Sequence, residues 1–195
     1  MSKFIICLLI PLSLNSFFIN AEEPYYGFYP SEKGLLYKLF RHNLYNFEIQ
    51  LPKNWIFGVA GKVPNQVIIM YPQELNVSQF SSIYETITVG IIPISNITLD
   101  KSYEYTMLGM ESSHNKLVII KAKNIVTVNG NPAINVVYQW PSKTGNIINE
   151  SVYLIKYGNK IYSLTTRTTT SGKKLNIHQS IINTFNPIKN RLGEK

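Results

Sequence analysis

The sequence predicts an α/β protein of the α+β type, built on an antiparallel β-sheet with two amphipathic helices. Short β-branched runs recur along the chain, each bounded by Pro, Asn, Ser or Gly. Two-residue turns join several of these runs, as they do in antiparallel hairpins. Residues 98–114 and 172–185 instead carry apolar side chains at helical spacing.

The first strand-like runs lie in the N-terminal half. We expect a strand over residues 44–51, which Pro52 ends because proline has no N–H to donate to a β-ladder. Trp55 opens a second run, and "QVIIMY" and "TITVGIIPI" are two further ones. The helix that follows has Thr98 as its candidate N-cap. Its apolar stripe, which we expect to pack in the core, consists of Leu99, Tyr103, Met107 and Met110.

A β-meander makes up most of the C-terminal half. In "LVIIKAKNIVTV" the alternation of a strand places Lys121 and Lys123 together on one face. The opposite, apolar face contains Val118, Ile120, Ala122, Val126 and Val128. Asn129-Gly130 and Gly158-Asn159 are expected to be two-residue hairpin turns.

The aromatic residues and the last helix complete the predicted core. We expect Trp55, Tyr138 and Trp140 to be core residues, because each lies on the apolar phase of a strand or opens one. The last helix, which Pro187 ends, has an apolar stripe of Leu175, His178, Ile181, Ile182 and Phe185.

The N-terminus has the layout of a secretory signal peptide. Residues 1–21 contain a lysine, an apolar stretch and a small residue before the expected cleavage site after Ala21. A retained membrane anchor is the alternative, but proline and polar residues interrupt the apolar stretch. Residues 22–43 are predicted to be an N-terminal arm, irregular over residues 22–34, with 44–186 a single domain and 187–195 a basic tail.

Composition excludes several kinds of function. After cleavage no cysteine is left, which excludes disulfides, thiol catalysis and cysteine-ligated metals. The three histidines lie far apart in the sequence without metal-ligand spacing, and the chain has one aspartate. No common nucleophile or nucleotide motif is present. We therefore predict no catalytic residue, no metal ligand and no cofactor.

The basic charge indicates an anionic partner. Of 19 Lys and Arg residues, 18 are left after cleavage against 11 acidic residues, which gives 18 − 11 = +7. The candidate partner-binding residues are Lys121, Lys123 and Arg167. Arg167 shares a strand face with Ser163 and Thr165, where its guanidinium could hold a carboxylate or a phosphate. The alternative is a solvated arginine at a sheet edge. Nucleic acid is not expected, since only three basic residues are arginine and the protein is predicted to be exported.

The order of several motifs resembles the PsbP-like and Mog-like (DcrB-type) domain family. The matching stretches are "FEIQLPKNW", "VTVNGNPAINVVYQW", "VYLIKYGNKIYSLTTRTTT" and a terminal helix ending in "IINTF". The resemblance covers residues 44–186. It implies a central antiparallel β-sheet flanked by helices on both faces, an α/β/α sandwich. It also implies binding to other proteins and no shared catalytic motif.

These observations predict an exported, non-catalytic interaction domain, secreted or periplasmic, that acts at the bacterial cell envelope or outside the cell. Its partner would be a protein or an anionic envelope component, with no stable membrane span after cleavage. One alternative is a small-ligand or lipid-binding domain with a pocket between sheet and helix. Another is an enzyme without a standard motif, in which Glu, His or Arg converge in a cleft. The oligomeric state is left open.

Overall fold

The computed structural model describes residues 26–29, 36–59, 66–74, 85–92, 96–114, 116–142, 145–169 and 175–189. The predicted signal peptide lies outside the described residues, and so do the first four residues of the predicted arm and the last six of the chain.

Strands make up most of the described chain. In chain order they are β1 Tyr26–Tyr29, β2 Tyr37–His42, β3 Phe47–Pro52, β4 Trp55–Val59, β5 Gln66–Pro72, β6 Thr86–Ile92, β7 Val118–Val128, β8 Asn131–Pro141, β9 Ile147–Tyr157, β10 Lys160–Thr169 and β11 Asn186–Pro187. The described helices are α1 Leu99–Ser113 and α2 Leu175–Ile182.

The strands form two antiparallel sheets. The larger sheet has the order β4-β5-β6-β10-β9-β8-β7, and the smaller one has the order β1-β2-β3-β11. Both expected hairpin turns are present. Asn129 and Gly130 have positive φ angles of 46° and 78°, and Gly158 has a φ angle of 56°. Asn and Gly are the residues that tolerate this left-handed backbone best, which is why these dipeptides predict the turns.

One face of the larger sheet is covered by α1. The sheet contributes a buried apolar cluster to this contact: Val136, Tyr138, Val152, Leu154 and Ile161. Met107 of α1 belongs to the cluster, and the rest of the predicted helical stripe packs against it. Thr98 caps the helix, since its side-chain oxygen accepts a hydrogen bond from the Lys101 backbone N–H at 3.2 Å. The first helix is therefore confirmed, with its cap and its buried stripe.

The other face of the larger sheet is covered by the smaller sheet together with α2. Tyr162 is central to this layer, because its hydroxyl donates to the Tyr45 carbonyl oxygen at 2.8 Å. Its ring centroid lies 6.2 Å from that of Phe47 and 5.3 Å from that of Phe185. The expected antiparallel sheet is confirmed. The described structure is mostly β-sheet with few helices, and strand β3 shares with α2 the burial of this second face.

The segment predicted to be an N-terminal arm contains strands. Residues 26–29 pair with residues 39–42 of β2, and β2 pairs in turn with β3. Phe40 is fully buried against Phe47 and Phe57. For residues 26–29 the prediction of irregular structure is wrong, because pairing with β2 supplies hydrogen bonds that local sequence does not indicate.

Strand β7 is less buried than its alternation predicts. Val126 is partly buried and Val128 is buried, but Val118, Ile120 and Ala122 are exposed. Among the described strands β7 is the last of the larger sheet, so it has a described neighbour on one side only. The period-two pattern therefore predicts the strand correctly and overstates how much of it reaches the core.

Trp55 provides a test of the core. Its side chain is 3% exposed, and its ring meets the buried His178 ring edge-on at 5.7 Å. We expect Trp55→Ala to lower the free energy of unfolding by about 3–5 kcal/mol, since it removes a large buried side chain. Ile125→Ala is the control, because Ile125 is 82% exposed, and it should change stability by less than about 0.5 kcal/mol. Urea unfolding measures the free energy of unfolding of both variants. Equal values for Trp55→Ala and Ile125→Ala would contradict the burial of Trp55.

The buried His42 predicts a loss of stability in acid. Burial lowers its pKa to about 4, although a hydrogen bond to the backbone partly opposes this. An unfolded histidine has a pKa of about 6.5. Between these values the unfolded chain binds a proton that the folded chain does not, so this contribution to stability is lost as the pH falls from about 6.5 to about 4.

The loss attributable to His42 should be on the order of 3 kcal/mol. Urea unfolding at a series of pH values measures it, and the His42→Gln variant should show a correspondingly shallower dependence. A variant with the same pH dependence as the natural chain would show that His42 is not the group responsible.

Candidate functional site

A cleft of about 630 Å³ lies between α1 and the larger sheet. The sheet contributes a polar wall that includes Tyr138, Glu150, Ser163, Thr165 and Arg167. The helix contributes Gly109, Met110 and its C-cap residue His114. The cleft lies between sheet and helix, where the alternative prediction of a small-ligand or lipid-binding domain places its pocket.

Glu150 is the buried centre of the polar wall. The register of the sheet places it directly opposite Tyr138 on β8 and directly opposite Arg167 on β10. The Tyr138 hydroxyl donates to Oε1 of Glu150. Oε2 accepts from Trp140 Nε1 at 3.2 Å and from Arg167 Nε at 3.0 Å. Three donors, one of which is the Arg167 cation, thus compensate a carboxylate that would otherwise be costly to bury.

The network holds Tyr138 as a hydrogen-bond donor. Burial raises the pKa of the Tyr138 hydroxyl far above its ordinary value, and the negative charge of Glu150 raises it further. The hydroxyl therefore keeps its proton at any physiological pH. Its hydrogen bond fixes one oxygen of Glu150 and leaves the other to orient Arg167.

Trp140 joins His114 and Arg167 to the network. The His114 ring stacks on the Trp140 ring with centroids 4.3 Å apart and 14° between planes. The Arg167 guanidinium carbon lies 5.4 Å from the Trp140 ring centroid, which permits a cation–π interaction. Burial lowers the pKa of His114, the Glu150 charge opposes this, and the Arg167 charge adds to it. His114 is therefore neutral near pH 7.

Arg167 keeps donors for a ligand. Its side chain is 35% exposed, whereas that of Glu150 is 6% exposed. Nε is bound to Glu150, and within the described residues the two terminal nitrogens make no hydrogen bond. Ser163 and Thr165 line the cleft from the same strand face, as predicted. The site can therefore hold a polar or anionic group at the outer edge of an already oriented guanidinium.

The other two predicted site residues lie elsewhere. Lys123 Nζ pairs with the Asp100 carboxylate and lies 5.9 Å from the Tyr103 ring, on the α1 side of the sheet. Lys121 lines a second cleft, of about 540 Å³, on the opposite face with Tyr153 and Gln179. The expectation that both lysines share a face is wrong.

Bulges in β7 explain why the two lysines separate. The pairing of β7 with β8 shifts register between Ile119 and Lys121, and again between Lys121 and Asn124. An extra residue in one strand reverses the alternation of side chains beyond it. The structure thus brings Arg167 alone of the three candidates into the cleft. Lys173 and Lys174, two further lysines just before α2, lie outside the described residues.

Sequence reasoning missed Glu150, Trp140 and His114 as site residues. Glu150 had a usable signal, because it occupies the apolar phase of β9 between Ile148 and Val152. A charged residue in that phase must find partners inside the protein. His114 had no such signal, since its position depends on how α1 packs on the sheet.

Neither a family model nor a curated protein sequence matches the chain. Solved structures do. Cyanobacterial PsbP (CyanoP) from Synechocystis sp. PCC 6803 is 12% identical, with a TM-score of 0.57 over 82% of this chain and 97% of that chain. The Saccharomyces cerevisiae Ran-binding protein Mog1p is 12% identical, with a TM-score of 0.52 over 78% and 96%. The fold is PsbP/Mog1-like.

A third structure, from Bacteroides thetaiotaomicron, is 12% identical, with a TM-score of 0.55 over 80% of this chain and 50% of that chain. At these identities the likeness establishes the PsbP/Mog1-like fold and does not extend to activity. Neither helix of the described ranges has the length and apolarity that a membrane crossing requires. No three His, Cys, Asp or Glu side chains come together as a metal site within the same ranges.

The Glu150–Arg167 pair should respond asymmetrically to substitution. Arg167→Met leaves a buried carboxylate without its cation and should cost about 3–5 kcal/mol of stability. Glu150→Gln leaves a guanidinium that can reach water, and should cost about 1–2 kcal/mol. The double variant should cost less than the sum of the two, as measured by urea unfolding in a double-mutant cycle. A larger cost for Glu150→Gln than for Arg167→Met would show that this account of the pair is wrong.

Proposed function

We propose that the chain is an exported, non-catalytic binding domain that acts at the bacterial cell envelope or outside the cell. We infer that it binds its partner through the cleft between α1 and the larger sheet. The observation that carries this proposal is the network in which buried Glu150 and Trp140 orient Arg167 towards the cleft. In this proposal the two helices flank the sheet, in the manner of an α/β/α sandwich.

The chemistry of the cleft favours binding over turnover. Both oxygens of Glu150 already accept hydrogen bonds, so this carboxylate is poorly placed to take a proton from a substrate. Across the described ranges, His114 makes no hydrogen bond to a hydroxyl that could serve as a nucleophile. What the cleft offers is an oriented cation among hydroxyl groups, which is suited to recognition.

Export is proposed from the N-terminal sequence. Residues 1–21 have the order of charge, apolar stretch and small residue that marks a secretory signal. A chain exported without cysteine must be stable through its core alone, and the two buried clusters supply that core. We infer a secreted or periplasmic location on these grounds.

The partner is proposed to be a protein or an anionic envelope component. The mature charge of +7 favours anionic surfaces. Because Lys121 and Lys123 lie on opposite faces of the sheet, they cannot serve one flat docking surface together. Arg167 in the cleft and Lys121 beside the second cleft are separate contact points, each of which can be tested by itself.

A second candidate function is small-ligand binding in the same cleft. The observation in its favour is the volume of about 630 Å³, which is in the range of small-molecule sites. Apolar side chains of Ile91 and Met110 line the cleft beside the polar wall. A lipid or another small molecule with one polar end would match that lining.

Capture from the native envelope and culture fluid tests the main proposal. The exported protein should begin at Glu22 by N-terminal sequencing, and should retain a partner that is identified by mass spectrometry. Retention should weaken as salt rises, since exposed charges are screened beyond about 8–10 Å. An intact Met1 in a cytoplasmic fraction would contradict export.

Matched variants separate the contact points in the same capture experiment. Arg167→Lys keeps the charge but not the guanidinium fork, and should reduce capture if the cleft is the site. Lys121→Glu and Lys123→Glu are compared individually. Capture that is lost with Lys121→Glu and unchanged with Arg167→Lys would place the site on the opposite face and contradict the proposed cleft.

A further inference from the structure

We propose that the cleft between α1 and the sheet binds a carboxylate group, held by the outer edge of Arg167 and the Thr165 hydroxyl, with an apolar portion of the ligand against Ile91 and Met110. This inference rests on the proposed function and names the chemistry that the binding domain recognises. A free organic acid and the C-terminus of a peptide are two sources of the same group.

The guanidinium is oriented before any ligand arrives. Its Nε is bound to Glu150 at 3.0 Å, and its carbon lies 5.4 Å from the Trp140 ring centroid. The terminal nitrogens, which have no hydrogen-bond partner within the described residues, form the fork that matches the two oxygens of a carboxylate. Because the side chain is already held, little conformational entropy is lost when the ligand binds.

Hydroxyl groups continue the polar wall along β10. Thr165 and Ser163 precede Arg167 by two and four residues and line the same cleft. Alternate residues of a strand lie about 7 Å apart, so Thr165 is the hydroxyl within reach of a group bound to Arg167. Thr88 of β6 is directly opposite Thr165 and also lines the cleft. A carboxylate can therefore accept from a hydroxyl as well as from the guanidinium.

The charges in the cleft favour a monoanion. Arg167 brings one positive charge, and Glu150 beside it brings one negative charge. His114 is neutral near pH 7 because burial lowers its pKa. A carboxylate adds one negative charge to a balanced site, whereas a phosphate dianion adds two beside the buried Glu150. A singly charged, planar acid is thus the better match.

Two glycines leave space for the rest of the ligand. Gly90 on β6 and Gly109 on α1 face the cleft without side chains. A Cβ added at Gly109 would meet no atom within 4 Å. With Ile91 and Met110 lining the same space, the volume next to Arg167 suits an apolar chain.

The test is to titrate the mature protein with a set of probes and to measure binding by calorimetry and by tryptophan fluorescence. The probes are hexanoate, its neutral amide hexanamide, inorganic phosphate, and one short apolar peptide with either a free or an amidated C-terminus. We expect the carboxylate form of each pair to bind at least tenfold more tightly than its amide, and phosphate to bind more weakly than hexanoate. Equal affinity for acid and amide, or tighter binding of phosphate, would overturn the inference.

Gly109→Leu tests the location without disturbing the Glu150–Arg167 pair. Gly109 lines the cleft, so we expect the new side chain to occupy part of it. It should not destabilise the helix, because leucine favours helix more than glycine does and a Cβ at this position would meet no atom within 4 Å. Hexanoate affinity should fall at least tenfold while the melting temperature stays the same or rises. Ser112→Leu adds the same side chain at an exposed position of α1 outside the cleft, and should bind as the natural chain does. Undiminished binding to a folded Gly109→Leu variant would overturn the assigned site.

The arms of the experiment separate this inference from the proposed function. Tighter binding of the free-terminus peptide than of hexanoate assigns the carboxylate to a peptide partner, and the reverse order assigns it to a free acid. Failure of every carboxylate, with macromolecular capture still dependent on Arg167, overturns the carboxylate site and leaves the binding domain. Conversion of a probe to product overturns the non-catalytic function and leaves the carboxylate site in place.

Discussion

Strands β8, β9 and β10 are covered on both faces, and the rest of the structure depends on this double burial. The side chains that are buried on them must be apolar or have their polar atoms satisfied inside the protein. On one face Leu154 packs under α1, and on the other Tyr162 packs under the smaller sheet. Glu150 is tolerated there because the register places a donor opposite it on each neighbouring strand. The same constraint that forms the core therefore forms the candidate site.

The polar wall of the cleft has the rigidity of the sheet that carries it. Tyr138, Glu150 and Arg167 stand in one row across three hydrogen-bonded strands. Loops are not needed to bring these three side chains together. The helix supplies the complementary wall, where Gly109 leaves space and His114 stacks on Trp140. The recognition that we propose for this chain thus depends on positions fixed by strand register and helix packing.

Local chemistry made part of this predictable from the sequence. The Asn129-Gly130 turn, the Thr98 cap and the face shared by Arg167 and Thr165 follow from preferences that act over a few residues. Local preferences do not predict the strand at residues 26–29 or the burial of Glu150, because both depend on partners distant in the sequence. The bulges in β7 are equally unpredictable from local sequence, since a bulge exists only in relation to the strand that it pairs with.

The bulges in β7 also bear on how separate molecules of this protein meet. This strand ends the described part of the larger sheet and exposes Val118, Ile119 and Ile120 to solvent. A long, flat, apolar edge is a template on which further strands from other chains can add indefinitely. Two interruptions between Ile119 and Asn124, with a lysine between them, break the regular spacing that such growth requires. The irregularity that separates Lys121 from Lys123 thus also interrupts the regular edge on which such strand addition depends.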